Sequence, residues 1–486
     1  MKHLIFIVAY NHENFIDKVL ERLPSTIFKE DYEILIIDDA SIDKTFDTAT
    51  KWKNNNKDIN INILKNSKNY GYGGNQKIGM QYAIKNNFDT LILLHGDGQY
   101  APELIHDLIK YHIKNNSSLT LGSRMINKRN ALKGKMPLYK FIGNIILTKF
   151  QNILLNTNLS EFHTGYRVYS IKSLKNIKFH LNTNDFHFDT EIIIQNIANK
   201  YKISEFSIPT YYGKEISYVN GLSYAYNVLK ESVLYKLQSL GIFYSEKYNY
   251  KIEYYEDKSH FLSSHLIAIN EVTKNSSIID IGSSNAKYLK RLKEEKNCYI
   301  KTVNQYSNLK NSIVDEEEIV DLNVELPNNI NKFKFIFLLD IVEHLRDPEL
   351  FVKNLHLKTN NNQIVIASTA NVAFIVVRLM LFFGFFNYGN RGILDKTHTR
   401  LFTFNSFKKL FENDYEIIKI KGIPAPIPLA IGNNFISKLL INLNSVLIKI
   451  SKPIFSYQIL LVMKPKASLK SILEETEKFS KEIHDS

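Results

Sequence analysis

The sequence has almost no cysteine and no long uncharged apolar run. Cys298 is the single cysteine among 486 residues, which excludes an internal disulfide and a thiolate zinc site of the usual kind. The nearest candidate for a membrane span, residues 372–386, is interrupted by Arg378 and is shorter than the roughly 20 residues of a transmembrane helix. The apolar run Leu4–Tyr10 is too short for a signal peptide. We therefore expect a cytoplasmic protein that is soluble or lies at the inner face of the cell membrane.

Compact basic clusters are also scarce, although the chain is basic overall. The formal net charge is +13 and the sequence pI is about 9.2, but the lysines are spread along the chain. Only residues 133–140 form a compact basic block. A basic surface attracts nucleic acid, anionic lipid or phosphorylated substrates. Because no nucleic-acid motif accompanies the charge, we expect no nucleic-acid partner.

Short β-rich runs alternate with amphipathic segments in both halves of the chain. In the first half, strands are predicted at 4–9, 34–37, 61–64 and 90–94, and helices at 15–23 and 76–86. In the second half, strands are predicted at 278–281, 300–303, 333–339, 364–367 and 458–463, and helices at 287–296 and 348–355. This alternation predicts an α/β protein with two mainly parallel, Rossmann-like sheets. Ligands of such sheets bind at the carboxyl ends of the strands.

The chain is expected to divide into four segments. We expect a first domain over 1–235, a helical linker over 236–254, a second domain over 255–465 and a charged tail over 466–486. The tail is low in aromatic residues and is predicted to be a peripheral helix or disordered.

Two carboxylates, Asp38 and Asp39, directly follow the second predicted strand. Each is costly to bury unless something pairs with it, and the ribose or base of a nucleotide would be such a partner. The alternative is a helix N-cap at Ser41 or Asp43, and both interpretations can hold together.

Asp97 lies between two glycines at the end of the fourth predicted strand. Asp97 and Gln99 supply oxygen ligands for a divalent cation, which would neutralise a departing diphosphate. The alternative is a tight turn in which Pro102 starts a helix, and this explains the glycines but not Asp97. The glycine-rich stretch 71–75 lacks the Gly-Lys-Ser/Thr of a P-loop and is predicted to be a flexible wall near the ligand.

Five motifs of the first half resemble inverting family-2 glycosyltransferases. The last two of them narrow the resemblance to the dolichyl-phosphate mannose synthase-like branch, and it covers residues 1 to about 235. In chain order the motifs are Tyr10-Asn11-His12-Glu13, Asp38-Asp39-Ala40-Ser41, Asp97-Gly98-Gln99, Gly122-Ser123-Arg124 and Thr164-Gly165-Tyr166-Arg167.

The resemblance implies a GT-A fold, a nucleotide-diphosphate sugar as donor and Mg or Mn as cofactor. It assigns Asp97 and Gln99 to the metal. It assigns the nucleotide sugar and its phosphates to Tyr10, Asn11, Glu13, Asp38, Asp39, Arg124 and Arg167. Two residues depart from the family pattern: Ala9 replaces the usual proline, and His95 replaces the first aspartate of the metal site.

The acceptor decides whether a general base is needed. A sugar hydroxyl requires one, and the candidate carboxylates are Glu161, Asp189 and Glu191. Together with Asp97 they make up the predicted catalytic residues. A lipid phosphate is already anionic and requires none. For residues 185–191, the alternative interpretation is an exposed helix start with acidic N-terminal residues.

The second half resembles class I S-adenosylmethionine-dependent methyltransferases from about residue 255 to 465. The resemblance rests on residues 278–286, 339–348 and 392–403. It implies cofactor contacts from Asp280, Gly282, Ser284, Asn304, Asp321 and Asp340. Ser284 and Ala286 replace glycines of the family's turn, and Asn304 replaces its ribose-binding acid. His344 and His398 are candidates for a base or acceptor contact, or for structural histidines.

These patterns predict transfer of a sugar from a nucleotide-diphosphate donor to a polyprenyl-phosphate or glycan acceptor, with peripheral membrane contact. Two alternatives stay open. The chain could be a bifunctional sugar methyltransferase whose main activity lies in the second domain, or a non-catalytic scaffold of a glycan pathway.

Overall fold

The computed structural model describes residues 1–29, 31–212, 219–239, 243–250, 259–282, 287–305 and 313–467, together with 473 and 476. The chain forms two compact units. The first contains residues 1–236 and 245–250, and the second contains 237–244 and 251–486. Among the described residues, no helix is both long and apolar enough to cross a membrane.

The first unit is built on a seven-stranded sheet. Its strands are β1 (His3–Ala9), β2 (Tyr32–Asp38), β3 (Ile61–Lys65), β4 (Thr90–His95), β5 (Leu119–Ser123), β6 (Arg167–Ser170) and β7 (Ile203–Ser207). Its helices are α1 (Ile16–Glu21), α2 (Thr45–Asn55), α3 (Tyr72–Lys85), α4 (Ile105–Lys114), α5 (Lys128–Lys133), α6 (Leu138–Leu155), α7 (Ile171–Leu174), α8 (Phe188–Ala198) and α9 (Gly221–Ser239). Short 3₁₀ turns lie at Ser25–Lys29, Pro102–Leu104, Phe179–Leu181 and Glu246–Tyr248.

This sheet is mainly parallel, with the order β3-β2-β1-β4-β6-β5-β7. Only β6 runs antiparallel to its neighbours. Alternate residues of β1 enter two separate cores, with Leu4, Phe6 and Val8 on one face and Ile5 and Ile7 on the other. Burial on both faces explains why the strand is continuously apolar.

The second unit also has a seven-stranded sheet. Its strands are β8 (Ser277–Ile281), β9 (Tyr299–Asn304), β10 (Glu316–Ile319), β11 (Phe335–Leu339), β12 (Ile364–Ala370), β13 (Tyr415–Ile423) and β14 (Gln458–Pro465). Its helices are α10 (Ser264–Glu271), α11 (Lys287–Lys296), α12 (Pro348–Leu357), α13 (Ile375–Phe382), α14 (Phe404–Glu412), α15 (Ile427–Ile431), α16 (Phe435–Ile450) and α17 (Lys452–Phe455). Two 3₁₀ turns lie at Ile330–Lys332 and Val342–His344.

The order of this sheet is β10-β9-β8-β11-β12-β14-β13. The first five strands pair in parallel, whereas β14 pairs antiparallel with both β12 and β13. In both sheets the first three strands are added toward one edge, and the remaining strands lie on the other side of the first strand. The switch falls between β1 and β4 and between β8 and β11, where open α/β sheets bind ligands.

The predicted α/β class is confirmed for both halves. The sequence interpretation missed β5, β6, β7, β10 and β13. Two of these are edge strands with polar patterns: β10 is acidic along most of its length, and lysine and isoleucine alternate in β13. The loop predicted over 71–75 is wrong, because α3 begins at Tyr72, and Gly73 donates its amide to the Asn184 carbonyl at 2.7 Å. A Cβ on Gly73 would lie 2.5 Å from the Thr183 carbonyl oxygen, so glycine permits this packing.

The segment predicted as a helical linker has a different arrangement in part. α9 extends into it, and residues 245–250 return to the first unit. Lys247 pairs there with Glu191 and Glu231, which explains the return. Residues 240–242, 251–258 and most of the predicted tail lie outside the described residues.

Candidate active site

Side chains from five motifs converge at one edge of the first sheet. β1, β2 and β4 are parallel neighbours, so Asn11, Asp39 and Asp97 follow strand ends on the same side. Arg167 begins β6, which runs the other way, and its register places it opposite Leu93 near the end of β4. Arg124 follows β5 at the same edge. The fold thus brings the five motifs together.

Reciprocal hydrogen bonds join the loops after β1 and β2. The Asn11 amide donates to Ser41 Oγ at 2.8 Å, and Asn11 Oδ1 accepts from the Ile42 amide at 3.1 Å. Glu13 Oε2 accepts from the Lys44 amide at 3.0 Å. Two predicted nucleotide contacts, Asn11 and Glu13, therefore also connect the two loops. The third predicted contact here, Tyr10, is half-buried directly after β1.

The carboxylates of Asp38 and Asp39 are both buried and both bind neighbouring loops. Asp39 accepts hydrogen bonds of 2.8–2.9 Å from Asn66 Nδ2 and from the amides of Tyr70 and Gly71. Asp38 Oδ1 accepts from the Ser41 amide and hydroxyl, and its Oδ2 lies 3.5 Å from Lys65 Nζ. Ser41 therefore binds the Asp38 carboxylate at the end of β2, and the Asp39 carboxylate fixes the segment before α3.

The end of β4 contains one carboxylate and one imidazole. Asp97 Oδ1 accepts from the Gln99 amide at 2.9 Å, and both residues are half-buried. His95 Nε2 lies 3.1 Å from Tyr72 Oη, and a Cβ on Gly165 would lie 2.2 Å from the same nitrogen. Burial lowers the pKa of His95 to about 4, so this imidazole is neutral near pH 7. Asp97 and Gln99 stay the predicted oxygen ligands of a cation at this edge.

His12 is a polar residue at this edge that the sequence interpretation did not single out. Its Nδ1 is buried without a hydrogen-bond partner, and a Cβ on Gly96 would lie 2.9 Å from it. Burial lowers the pKa of His12, while the nearby charge of Asp97 raises it. The sequence signal that could have identified His12 is its position between Asn11 and Glu13, two predicted nucleotide contacts.

Asp189, on α8, contacts residues of α3 and β6 close to His95. It accepts from Tyr72 Oη at 2.9 Å and from Gln76 Nε2 at 3.2 Å, both on α3. Its Oδ1 lies 3.5 Å from Arg167 Nη1, and the guanidinium of Arg167 is completely buried. Tyr72 and Gln76 were missed because their partner lies more than a hundred residues away in the sequence.

Glu161 and Arg124 form a buried ion pair. The Arg124 amide donates to Glu161 Oε2 at 2.7 Å, and Arg124 Nε donates to Oε1 at 3.1 Å. Asn144 Nδ2 of α6 donates to the same Oε1 at 2.9 Å. Burial alone would raise the pKa of Glu161, but the Arg124 guanidinium outweighs it and holds this pKa below its usual value. The carboxylate is therefore ionised and fully engaged.

Glu191 is likewise held within the first unit. Its Oε2 accepts from the Thr183 amide at 2.7 Å, and its Oε1 accepts from Lys247 Nζ at 2.5 Å. Glu191 and Asp189 are both buried, so the alternative of an exposed helix start at residues 185–191 is wrong for these two side chains. Within the described ranges, no group of three or more His, Cys, Asp or Glu residues could hold a metal ion.

Three of the residues predicted to bind S-adenosylmethionine, Asp280, Gly282 and Asn304, lie at or near the ends of β8 and β9. Asp280 is buried and accepts from Tyr288 Oη. Gly282 has φ +89°, and a Cβ there would lie 2.4 Å from Ile341 Cγ1, so packing alone requires glycine. Asn304 ends β9, and its buried Nδ2 has no acceptor among the described residues. Ser284 lies outside the described residues.

Two further predicted contacts lie near the ends of other strands. Exposed Asp321 accepts from the Asn323 amide at 3.0 Å. Asp340 has φ +55° and accepts from Ser368 Oγ at 2.6 Å and from Gln458 Nε2 at 2.7 Å. Burial, and next to it the charge of Asp340, raise the pKa of Glu343 to about 8.

The two candidate histidines of this unit also meet. The rings of His344 and His398 are 4.8 Å apart in an edge-to-face arrangement.

Residues 4–178, all within the first unit, match the family described as glycosyl transferase family 2. The UDP-N-acetylglucosamine–dolichyl-phosphate N-acetylglucosaminyltransferase of Methanococcus voltae is 29% identical over 218 residues, which are 43% of this chain and 85% of that protein. The undecaprenyl-phosphate mannosyltransferase of Micrococcus luteus is 27% identical over 183 residues, 36% of this chain and 70% of that protein. The structure of S. aureus TarS 1–349 in complex with UDP aligns over 60% of this chain and 72% of its own at 17% identity, with a TM-score of 0.35.

The Arg124–Glu161 pair generates a prediction about stability. Glu161→Ala leaves a buried, unpaired guanidinium, so the free energy of unfolding of the first unit should fall by about 3–5 kcal/mol in urea titrations. Glu103→Ala is the matched control, because it breaks the exposed pair with Arg22 and should cost less than about 1 kcal/mol. Equal losses in the two variants would contradict the buried-pair interpretation.

The same pair determines a pH dependence. Because the folded-state pKa of Glu161 is lowered, its contribution is present above the unfolded value of about 4.3 and is lost as pH falls through the folded-state pKa. The difference in stability between the wild type and Glu161→Ala should therefore shrink below about pH 4.

Proposed function

We propose that the first unit transfers a sugar from a nucleotide-diphosphate donor, with inversion, to a polyprenyl phosphate or a glycan. The convergence of five polar motifs at one sheet edge, in a domain that matches glycosyl transferase family 2, carries this proposal. Two relatives whose names specify dolichyl or undecaprenyl phosphate favour the lipid acceptor.

The donor would lie along the ends of β1, β2 and β4. Tyr10, Asn11 and Glu13 would contact the nucleotide from one loop, and Asp38 and Asp39 from the next. Hydrogen bonds from backbone amides of neighbouring loops orient the side chains of Asn11, Glu13 and Asp39 before the ligand arrives, which reduces the entropy lost on binding.

A divalent cation would be held by Asp97 and Gln99 together with the donor diphosphate. Mg²⁺ commonly uses one or two carboxylates and completes its shell with phosphates and water, so the carboxylate of Asp97 fits it. When bound, the cation would neutralise charge on the leaving diphosphate. The neutral imidazole of His95 adds no competing positive charge there.

Arg124 and Arg167 would act as positioning residues in this proposal. Glu161 and Asp189 orient their guanidinium groups, and Arg124 also donates to the His163 carbonyl at 2.7 Å. With a lipid phosphate as nucleophile no base is required. With a sugar hydroxyl, Asp189 is the preferred base candidate because its contact with the Arg167 guanidinium, at 3.5 Å, is longer than the contacts of Glu161 with Arg124 and of Glu191 with Lys247.

The orientation of α6 supports a lipid acceptor. Its inward side carries Asn144, Thr148 and Gln151, all buried. Its outward side carries exposed apolar residues: Leu138, Tyr139, Ile142, Ile146, Phe150 and Ile153. Basic residues at 128, 129, 133, 135, 140 and 149 accompany it. An apolar face with basic flanks is typical of a helix at a bilayer surface.

The cation site can be tested with Asp97→Ala. Turnover of the nucleotide sugar should require Mg²⁺ or Mn²⁺ and should fall on the order of 100-fold in the variant, because stabilisation of the leaving diphosphate is lost. Asp107→Ala, on the exposed start of α4, is the matched control and should be fully active. Full activity of Asp97→Ala, or of the wild type in excess chelator, excludes the metal role.

The acceptor can be tested with Ile146→Glu on α6. Transfer to a polyprenyl phosphate embedded in anionic vesicles should fall about ten-fold, whereas hydrolysis of the donor should not change. Leu222→Glu, an equally drastic change at an exposed site on α9, should leave both unchanged. Transfer to the embedded acceptor should also decrease with ionic strength, because exposed charges are screened. Acceptance of free oligosaccharides alone would contradict the lipid acceptor.

We further propose that the second unit retains a low-affinity site for S-adenosylmethionine, which makes methyl transfer the second candidate function. The unpaired Nδ2 of Asn304 fits a hydroxyl acceptor, and Asp280 and Gly282 lie at the end of β8 beside the sheet's switch point. Asp321 and Asp340 would complete the cofactor contacts, and Ser284 would belong to the turn. When bound, the cofactor would supply an electrophilic methyl group.

Calorimetric titration of the full chain with S-adenosylmethionine tests this site. We expect a dissociation constant weaker than about 1 µM, because neutral Asn304 replaces a charged partner and such a loss costs roughly 1–3 kcal/mol. Asn304→Glu should tighten binding by about one to two decades. Submicromolar binding by the wild type would overturn the low affinity. If neither the wild type nor Asn304→Glu releases heat on titration, the second unit has a structural role only.

A further inference from the structure

The second unit exposes an unusually apolar helix surface. Along α16, seven large apolar side chains are between 38% and 80% exposed: Phe435, Ile436, Leu439, Leu440, Leu443, Val446 and Ile450. Scattered exposed apolar residues are ordinary, but a contiguous face of this kind marks an interaction site.

The orientation of α16 is fixed by its own contacts. Asn434 caps the helix, and Asn444 accepts from the Ala425 amide at 3.0 Å and donates to the Phe455 carbonyl at 2.9 Å. Ile441 and Ile448 are buried on the same side. Because the inward side is anchored by these polar and apolar contacts, rotating the helix to hide its apolar side would break them.

A second apolar segment belongs to the same region of the unit. α13 and the residues after it expose Leu379, Leu381, Phe382, Phe383, Phe385 and Phe386. The base of α13 is joined to the segment after α16, since Asn371 Nδ2 donates to the Pro453 carbonyl at 2.9 Å and the rings of Phe374 and Tyr457 are 5.8 Å apart. Residues 375–386 and 435–450 therefore form what we call the α13–α16 surface.

The two chain segments that carry this surface contain basic residues and no acidic ones, although Glu271 from another segment pairs with Lys419 and Lys421. Residues 371–394 contain Arg378 and Arg391 but no Asp or Glu. Residues 417–467 contain lysines at 419, 421, 438, 449, 452, 464 and 466 and again no acidic residue. Phenylalanine and leucine on one side, with lysine at the margins, is the composition of helices that lie in the headgroup region of anionic bilayers.

We propose that the α13–α16 surface binds the surface of an anionic lipid bilayer. The apolar side chains enter the boundary between headgroups and acyl chains, and the lysines remain among the phosphates. A second copy of the chain fits less well, because a two-fold contact would place the basic margins against each other. This proposal does not depend on the proposed glycosyltransferase activity or on α6.

Vesicle flotation tests the surface. All proteins in this experiment carry Ile146→Glu, so that α6 does not contribute to binding. Each full-length protein is mixed with phosphatidylcholine vesicles in which about one lipid in three is anionic phosphatidylglycerol, or with vesicles that lack it. Binding should require the anionic lipid and should weaken in high salt. Adding Leu443→Glu or Phe382→Glu should reduce bound protein on the order of ten-fold. Leu357→Glu, at an exposed leucine of α12, is the matched control and should not change binding.

A fluorescent label reports insertion directly. Cys298 is only 1% exposed, so an environment-sensitive dye should attach selectively to Leu443→Cys or, as control, to Leu357→Cys. We expect a blue shift with anionic vesicles for the dye at 443 and none for the dye at 357. Absence of the shift at 443, or unchanged flotation of both glutamate variants, overturns the proposal. The proposal is also overturned if the wild type is a dimer and Leu443→Glu dissociates this dimer without reducing vesicle binding.

Discussion

The carboxylate of Asp39 is the contact on which the geometry of the candidate site depends. It accepts hydrogen bonds from three groups that precede α3: Asn66, Tyr70 and Gly71. These bonds fix where α3 begins, and the first turn of α3 then brings Tyr72 to Asp189, which pairs with Arg167 at the start of β6. Because a buried carboxylate without partners is costly, the strand end and the loop are held together, and the rest of the edge follows from their position.

Two helices, α6 and α16, reverse the ordinary amphipathic pattern. A surface helix usually buries its apolar stripe. Here an asparagine on the inward side of each helix, Asn144 or Asn444, holds a buried carboxylate or backbone groups, and the apolar side faces outward. Hydrophobic periodicity by itself would assign the apolar side of such a helix to the core. The polar partners of the inward side decide the orientation.

Contacts between distant segments explain why the predicted role and the observed contact differ for Glu161 and Gly282. Glu161 is a plausible base in the sequence, yet it pairs with Arg124, which lies 37 residues earlier. Gly282 resembles a glycine that lets a cofactor approach, yet the side chain of Ile341 already requires it. In both cases the competing explanation is a contact between distant segments, and no local pattern reports such a contact.

The sequence by itself determined the α/β class, most of the parallel strands and the position of polar motifs at their ends. These features depend on local periodicity and on turn residues, which a single sequence contains. Only the tertiary structure decided the sheet orders, the strands β6 and β13, the antiparallel direction of β14, and the partners of each buried charge. Strand order and ion pairing join segments far apart in the chain, and their energies depend on burial, which exists only once the chain has folded.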